Sequence, residues 1–287
     1  MILVVGSSGY VGNNIYKELI KEKFDVIGTY FKNKIKELVY FDICNMRLEE
    51  LKLDKKIRYI VISSSVNVNI DNVKKDWKNS YFTDVTKTKT IIKYCAKNNI
   101  IPLYISSDGV FNGAKGKYKE IDKKNPINCY GRIKSEIEDY ILNSCRKFII
   151  LRMGRVFGTD LKDGTIITNT IKQLKKNKQL LYADDQVFSP LYIGDLCKAL
   201  VKLISEKHEG IFHLTSIKAT SHYKIAKDIQ KYFNFNGAKI VPCKINSLNL
   251  IEKRPLLINL DDSKFCSVAK TKHYDIEHYL KIIKNKS

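Results

Sequence analysis

The sequence predicts an α/β protein: a doubly wound parallel sheet followed by a smaller mixed α/β lobe at the C-terminal end. Three observations carry this reading. Short apolar runs alternate with amphipathic helical stretches through the first half of the chain, the pattern of parallel strands joined by helical crossovers. The chain opens on an apolar run that passes straight into spaced glycines and then into a helical pattern. From about residue 159 the alternation gives way to a polar turn and helices of a different rhythm.

The opening segment is the most informative. Ile2 to Val5 are four consecutive apolar residues, followed by Gly6, Gly9 and Gly12 and an amphipathic run from Tyr10. Strand, glycine turn and helix in that order set a helix N-terminus over the strand edge, where free amide hydrogens and the positive dipole end suit a pyrophosphate. Ser8, Tyr10 and Val11 belong to the same turn and are expected at a dinucleotide.

Further strands are expected at Asp25–Thr29, Leu38–Phe41, Tyr59–Ser63, Leu103–Ile105 and Phe148–Arg152, with helices around 10–22, 46–53, 72–98 and 130–146. Later helices are expected near 165–178, 192–206, 221–233 and 275–284. The division that follows is a dinucleotide-binding domain over 1–158, to which 190–214 returns, and a smaller substrate-covering lobe over 159–287. In such sheets ligands bind beyond the carboxyl ends of the strands, so the residues after each strand are the ones to inspect.

Composition narrows the class. A chain of 287 residues with 44% hydrophobic content can bury a proper core. It has no apolar window long enough for a membrane span and no signal-peptide pattern, and its seven scattered cysteines fit a reducing, cytoplasmic setting rather than a disulfide framework. The net charge of +21 comes from lysines dispersed along the chain, with no dense basic block. Nucleic acid is therefore not expected as a partner, although anionic small molecules are favoured. The histidines show no metal-ligand spacing, and no metal is expected; His213 reads as a core residue.

After the second strand, where many NAD sites carry an acid for the ribose hydroxyls, stand Tyr30 and then Lys32 and Lys34. Ammonium groups attract a 2′-phosphate that a carboxylate would repel, so NADP is favoured and NAD is the alternative. Asp42 and Ile43, after the third strand, are candidates for the adenine edge.

The fifth strand ends in Ser106-Ser107-Asp108-Gly109, and Tyr130 opens a helix twenty-three residues past Ser107, with Lys134 one turn on. Tyr130 and Lys134 share a helical face. A nearby ammonium lowers a phenol pKa, Lys can hold a nicotinamide ribose, and a Ser hydroxyl can hold a carbonyl oxygen. Tyr-x-x-x-Lys occurs three times in this lysine-rich chain, at Tyr30, Tyr130 and Tyr223. Only Tyr130 follows a strand-end Ser-Ser-Asp.

With these residues on the page, the chain resembles the extended short-chain dehydrogenase/reductase superfamily, with its Rossmann-type fold, and within it the dTDP-4-dehydrorhamnose reductase family. The resemblance covers nearly the whole chain. Its matches include the glycine turn, Ser106 to Gly113, Tyr130 to Lys134, Asp185-Gln186, Ser189-Pro190, Gly194-Asp195-Leu196, Gly210 to Leu214, Arg254-Pro255 and Leu260 to Lys264. It implies NADPH- or NADH-dependent reduction of the 4-keto group of a nucleotide-linked 6-deoxy sugar. Tyr130 would be the proton donor, Lys134 would orient the ribose, and Ser107 would stand for the family's Ser/Thr. Ser63, Ser64 and Ser65 would pass beneath the cofactor, while Asp108, Gln186 and Arg254 would face the substrate.

Three positions depart from the family pattern. Gly109 replaces a tyrosine and opens space. Arg155 replaces an aromatic wall, which suggests a larger, more polar or more anionic sugar. Asp84 stands where an asparagine is usual. Competing readings are an epimerase or dehydratase of the same superfamily, and a non-catalytic regulator like the β subunit of methionine adenosyltransferase. Dehydratases need an Asp-Glu pair, and Gly109 takes the place of that Glu. A homodimer is left open.

Overall fold

The computed structural model describes residues 1–53, 55–67, 69–176, 179–269 and 273–286. Its centre is a seven-stranded parallel sheet. Six of the strands are β1 (Ile2–Val5), β2 (Val26–Tyr30), β3 (Val39–Tyr40), β4 (Tyr59–Ile62), β5 (Ile101–Ile105) and β6 (Ile149–Met153). Gly210–Leu214 adds the seventh beside β6, giving the spatial order Gly210–Leu214, β6, β5, β4, β1, β2, β3.

The order reverses between β1 and β4. The chain winds outward to one side through β2 and β3, then returns to β4 and winds out to the other. Adjacent strand ends diverge there and leave a crevice at their carboxyl edge. The register of β1 against β4, Ile2 opposite Tyr59 through Val5 opposite Ile62, brings Gly6 and Ser63 out of the sheet side by side.

Because side chains alternate across a strand, an all-apolar strand feeds two cores at once. Ile2, Val4, Tyr59 and Val61 pack on one face with Ile15 and Leu19 of helix α1 (Tyr10–Lys21) and with Leu196, Leu200 and Leu203. Leu3, Val5, Ile60 and Ile62 pack on the other with Ile91, Ile92, Ile133, Ile137 and Ile141. Phe157, Ile171, Phe188, Ile229, Tyr279 and Ile283 belong to a third core, in the C-terminal lobe.

The expected elements are present with three informative departures. The long helix expected over 72–98 is broken into Ile70–Lys75, Trp77–Tyr81, a π-helical turn at Phe82–Lys87 and Thr88–Lys97. Asp76 leaves helical geometry at φ −113°, ψ 47°, and Asp84 lies inside the π turn, a distortion common at functional sites. The helix expected over 46–53 is a single 3₁₀ turn, Leu48–Leu51. Periodicity also overlooked a two-stranded parallel pair, Gln179–Ala183 with Lys239–Cys243, and the helix Ser263–Ala269. Of the helix expected over 165–178, Ile166–Leu174 is observed, and 177 and 178 lie outside the described residues. Among the described residues no helix is long and apolar enough to cross a membrane.

Candidate active site

A cleft of about 1070 Å³ runs along the carboxyl edge of the sheet and continues under the C-terminal lobe. Single-ligand pockets usually fall between roughly 300 and 1,000 Å³, so this one stands at the upper end of that range.

At one end β1 delivers Gly6, with φ +92°, a backbone state that side chains avoid. A Cβ on Gly12 would lie 2.2 Å from the Gly6 carbonyl oxygen and 2.6 Å from Ser63 Oγ, so only glycine lets α1 approach the strand end this closely. Gly9 caps α1 with no side-chain hydrogen bond, and no acid stands in the first turn. Gly6 N donates to Thr29 Oγ1 and Gly9 N to the Gly6 carbonyl, which leaves the amides of the first turn of α1 for an anion. Ser8, Gly9, Tyr10, Val11 and Gly12 line the cleft, as do Ser63, Ser64 and Ser65 from the other side of the crossover. Among the described residues Ser64 Oγ is a buried hydroxyl without a hydrogen-bond partner, a polar group left unsatisfied at the cleft. Small residues, bare amides and this hydroxyl together fit a dinucleotide.

The far wall of that end carries Tyr30, Phe31, Lys32, Asn33, Ile43 and Cys44. Lys32 lies 5.9 Å over the Phe31 ring and is exposed, as is Lys34, which is not part of the wall. Asp42 corrects an expectation. Its carboxylate accepts hydrogen bonds from Cys44 N at 2.9 Å and Asn45 Nδ2 at 2.8 Å, and it does not line the cleft. It caps its own turn, as Asp does when its acceptors are taken up locally. Ile43 alone of that pair faces the cleft. Tyr10 has a second engagement, because its hydroxyl donates to Asp163 Oδ2 at 3.3 Å and so joins the glycine turn to the C-terminal lobe.

In the middle, β5 ends in Ser106, Ser107 and Asp108, and the helix Cys129–Ser144 starts opposite. Asn128 caps that helix through Gly131 N at 2.9 Å, and Glu252 accepts from Cys129 N at 2.7 Å, a carboxylate at a helix N-terminus. Ser107, Asp108, Gly109 and Tyr130 all line the cleft. Ser107 Oγ donates to Asp108 Oδ1 at 2.9 Å and accepts from Gly109 N at 3.1 Å. A Cβ on Gly109 would lie 3.5 Å from Tyr130 Cδ1, so glycine leaves space beside the phenol. Lys134 is buried beneath the cleft wall. Its Nζ donates to the Ile105 carbonyl at 3.0 Å and lies over the rings of Tyr104 (5.0 Å) and Tyr130 (5.6 Å).

Burial dominates the electrostatics here. It pushes the Tyr130 phenol up to about 12, with Asp108 and Asp84 adding to the rise and a Ser107 hydrogen bond opposing it. The expectation of a phenol lowered by Lys134 is therefore corrected: burial raises it, and Lys134 is not among the groups that move it. Burial also raises Asp108 to about 7, against the Ser107 hydrogen bond and the Arg155 charge. It lowers Lys134, and Asp84 and Glu138 pull that ammonium back up.

Glu138 is neutralised elsewhere, through Arg152 Nη2 at 2.7 Å and Ser106 Oγ at 2.5 Å. Asp84, one of the departures, accepts from Ser65 Oγ at 2.7 Å and Val66 N at 2.9 Å, fixing the loop after β4.

The other end of the cleft holds Arg155, Gln186 and Arg254, as expected, and a set the sequence did not single out: Asn169, Thr170, Gln173 and His222. Asn169, Thr170 and Gln173 share a face of the helix Ile166–Leu174, and only packing of the lobe brings that face to His222 and the sheet edge. Gln186 Nε2 donates to the Pro255 carbonyl at 3.0 Å. Arg254 pairs with Asp71 at 2.9 Å. Thr170 Oγ1 gives its proton to the Ile166 carbonyl at 2.7 Å, so at 3.0 Å it accepts from His222 Nε2, which must carry the imidazole proton. Burial, with Arg155, pulls His222 down to about 3 and keeps it neutral.

His213 is fully buried, with Nδ1 2.9 Å from the Tyr118 carbonyl oxygen. Outside the cleft, Asp262, Cys266 and His273 bring three donor atoms within 4.8 Å of one another, a convergence that sequence spacing did not signal.

A parallel sheet with this switch point, a glycine turn under a helix N-terminus, and Ser, Tyr and Lys at the neighbouring strand end define a protein of the short-chain dehydrogenase/reductase type. A family model described as the RmlD substrate binding domain matches residues 1–285, and the chain belongs to that family. It is 28% identical to a dTDP-4-dehydrorhamnose reductase of Aggregatibacter actinomycetemcomitans, over 78% of this chain and 76% of that one. It is also 26% identical to the methionine adenosyltransferase 2 subunit beta of Danio rerio, over 92% of this chain and 83% of that one. The crystal structure of a dTDP-4-dehydrorhamnose reductase from Bacillus anthracis in complex with NADP superposes with a TM-score of 0.84, covering 100% of this chain and 99% of that one. At 22% identity that likeness speaks for the fold.

Proposed function

We propose that the protein reduces the 4-keto group of a nucleotide-linked 6-deoxy sugar, with NADPH as the favoured reductant and NADH as the alternative. The observation that carries the reading is the meeting of Ser107 and Tyr130 in one cleft with an open helix N-terminus, with Lys134 seated against the phenol ring. Lys32, exposed on the cleft wall after β2, favours the 2′-phosphorylated cofactor. When bound, the reduced nicotinamide supplies a hydride.

The chain's own residues then have to deliver a proton. Tyr130, held protonated by its burial, donates the phenolic proton to the carbonyl oxygen as the carbonyl carbon gains the hydride, which gives the alcohol. Ser107 Oγ holds that oxygen. The tyrosinate left behind lies under the Lys134 ammonium, which offsets its charge. Gly109 leaves the ring of the sugar room beside the phenol.

Purified protein mixed with a dTDP- or UDP-linked 4-keto-6-deoxy sugar should consume NADPH stoichiometrically, and NADH more slowly. No oxidation of either cofactor across both nucleotide series would overturn the reading. The same mixture separates it from the non-catalytic regulatory role that the sequence also allowed. A regulator would bind the cofactor and leave it reduced.

A further inference from the structure

Two guanidinium groups face the substrate end of the cleft, and they are situated differently. Arg254 is almost buried and committed, with Nη2 paired to Asp71 at 2.9 Å and Nη1 donating to the Glu252 carbonyl at 2.8 Å. Arg155 is exposed to the cleft, and among the described residues its guanidinium has no carboxylate within 4.0 Å and no hydrogen bond. Its plane is held instead by the Phe188 ring, 5.3 Å from the guanidinium carbon. The group is oriented but unsatisfied.

Its neighbours say where an anion would sit. Asp108 lies on the catalytic side, its Oδ2 3.1 Å from where a Cβ on Gly154 would be. Arg254 is close enough to lower the Arg155 pKa, after burial and against the pull of Asp108. His222 is held neutral and adds no charge.

An acidic group on the sugar ring beside Tyr130 would meet the Asp108 carboxylate. An anion carried away from the ring could take the unpaired Arg155 guanidinium, with Arg254, already paired to Asp71, as a weaker second cation. The planar fork of arginine matches phosphate oxygens in pairs, which an aromatic wall at that position could not do. The cofactor's own pyrophosphate is served by the bare amides of α1, where Arg155 has no part.

We propose that Arg155, backed by Arg254, is the receptor for the diphosphate of the nucleotide-linked substrate and sets the enzyme's preference for diphosphate-linked sugars. The proposal rests on the nucleotide-sugar reading and assigns that substrate's charged part to a residue of this chain. It also revises the expectation that the cation signals a larger, more polar or more anionic sugar.

The test is calorimetric titration of UDP and of dTDP, without sugar, into NADPH-saturated wild type, Arg155→Leu and Arg155→Lys. Loss of a charge-assisted contact predicts binding about 10- to 100-fold weaker in Arg155→Leu, with Arg155→Lys in between. NADPH affinity and melting temperature should match wild type, which shows that both variants are folded. Equal nucleoside diphosphate affinity in wild type and Arg155→Leu would overturn the assignment and return Arg155 to a sugar-facing role. A parallel fall in NADPH affinity would overturn it too, by placing the guanidinium on the cofactor. Wild type that binds neither diphosphate would sink the nucleotide-sugar reading itself, an outcome distinct from both.

Discussion

The cleft has two ends made by different means. Beside Gly6, Gly9 and Gly12 the wall is backbone, small hydroxyls and a helix terminus, and α1 there carries no acid in its first turn. At the other end Asp108 and His222 are titratable side chains withdrawn from bulk water, with pKa values moved by that withdrawal, and Arg155 stands exposed beside them. On the proposed reading the glycine turn would meet its ligand through shape and amide dipoles, which are indifferent to pH, and Lys32 on the outer wall would add a charge. The second end would do so through charge, which depends on how each group is buried and paired. A fold can therefore keep one cofactor end and vary its substrate end by exchanging a few side chains.

The sharpest way to break this comparison is at the point where the ends meet. Tyr130→Phe should lower turnover about 10²- to 10⁴-fold with NADPH affinity unchanged, since it removes a proton and little else. Steady-state kinetics beside a cofactor titration checks it, and turnover within tenfold of wild type would take Tyr130 out of the proton step.

The cofactor end should fail by geometry. Gly12→Ala puts a methyl 2.2 Å from a backbone oxygen, and the overpacking should lower the melting temperature and weaken NADPH binding about tenfold or more. That loss should be the same at every pH. An alanine variant that binds NADPH normally would mean that α1 has slack the close packing denies.

The substrate end should respond to pH, with the smallest effect of the three. The Asp108 carboxyl goes from 3.8 when unfolded to about 7 when folded. Between about pH 4 and 7 the folded protein thus holds a proton that the unfolded chain has released, and stability from this group drains away as pH rises through that window. Asp108→Asn removes the liability. Its melting temperature should equal that of wild type below about pH 4 and exceed it by a few degrees above about pH 7. A constant offset across the range would show that the carboxyl is not buried as described.

Most of the frame was legible because its signals are local. A four-residue apolar strand, a glycine turn and an amphipathic helix are adjacent in sequence, and their geometry follows from their order. Tyr130 and Lys134 were legible because one helical turn fixes their separation. Asp42 was misread for an equally local reason, since its own turn consumes the carboxylate. The helix over 72–98 was misread because the chain leaves helical geometry at Asp76 and widens to a π turn around Asp84, whose carboxylate binds Ser65 and Val66, partners distant in sequence.

What the amino-acid order determined by itself is the alternation of parallel strands with helices and the anion-ready helix end, because strand and helix periodicities act over a few residues. What tertiary structure alone decided is the substrate end. Asp108, Arg155, Thr170, His222 and Arg254 come from five separate segments, and only the packing of the C-terminal lobe over the sheet brings them to one wall. The same packing decides their charge, since withdrawal from water and the neighbours each acquires set whether a carboxyl or an imidazole is ionised.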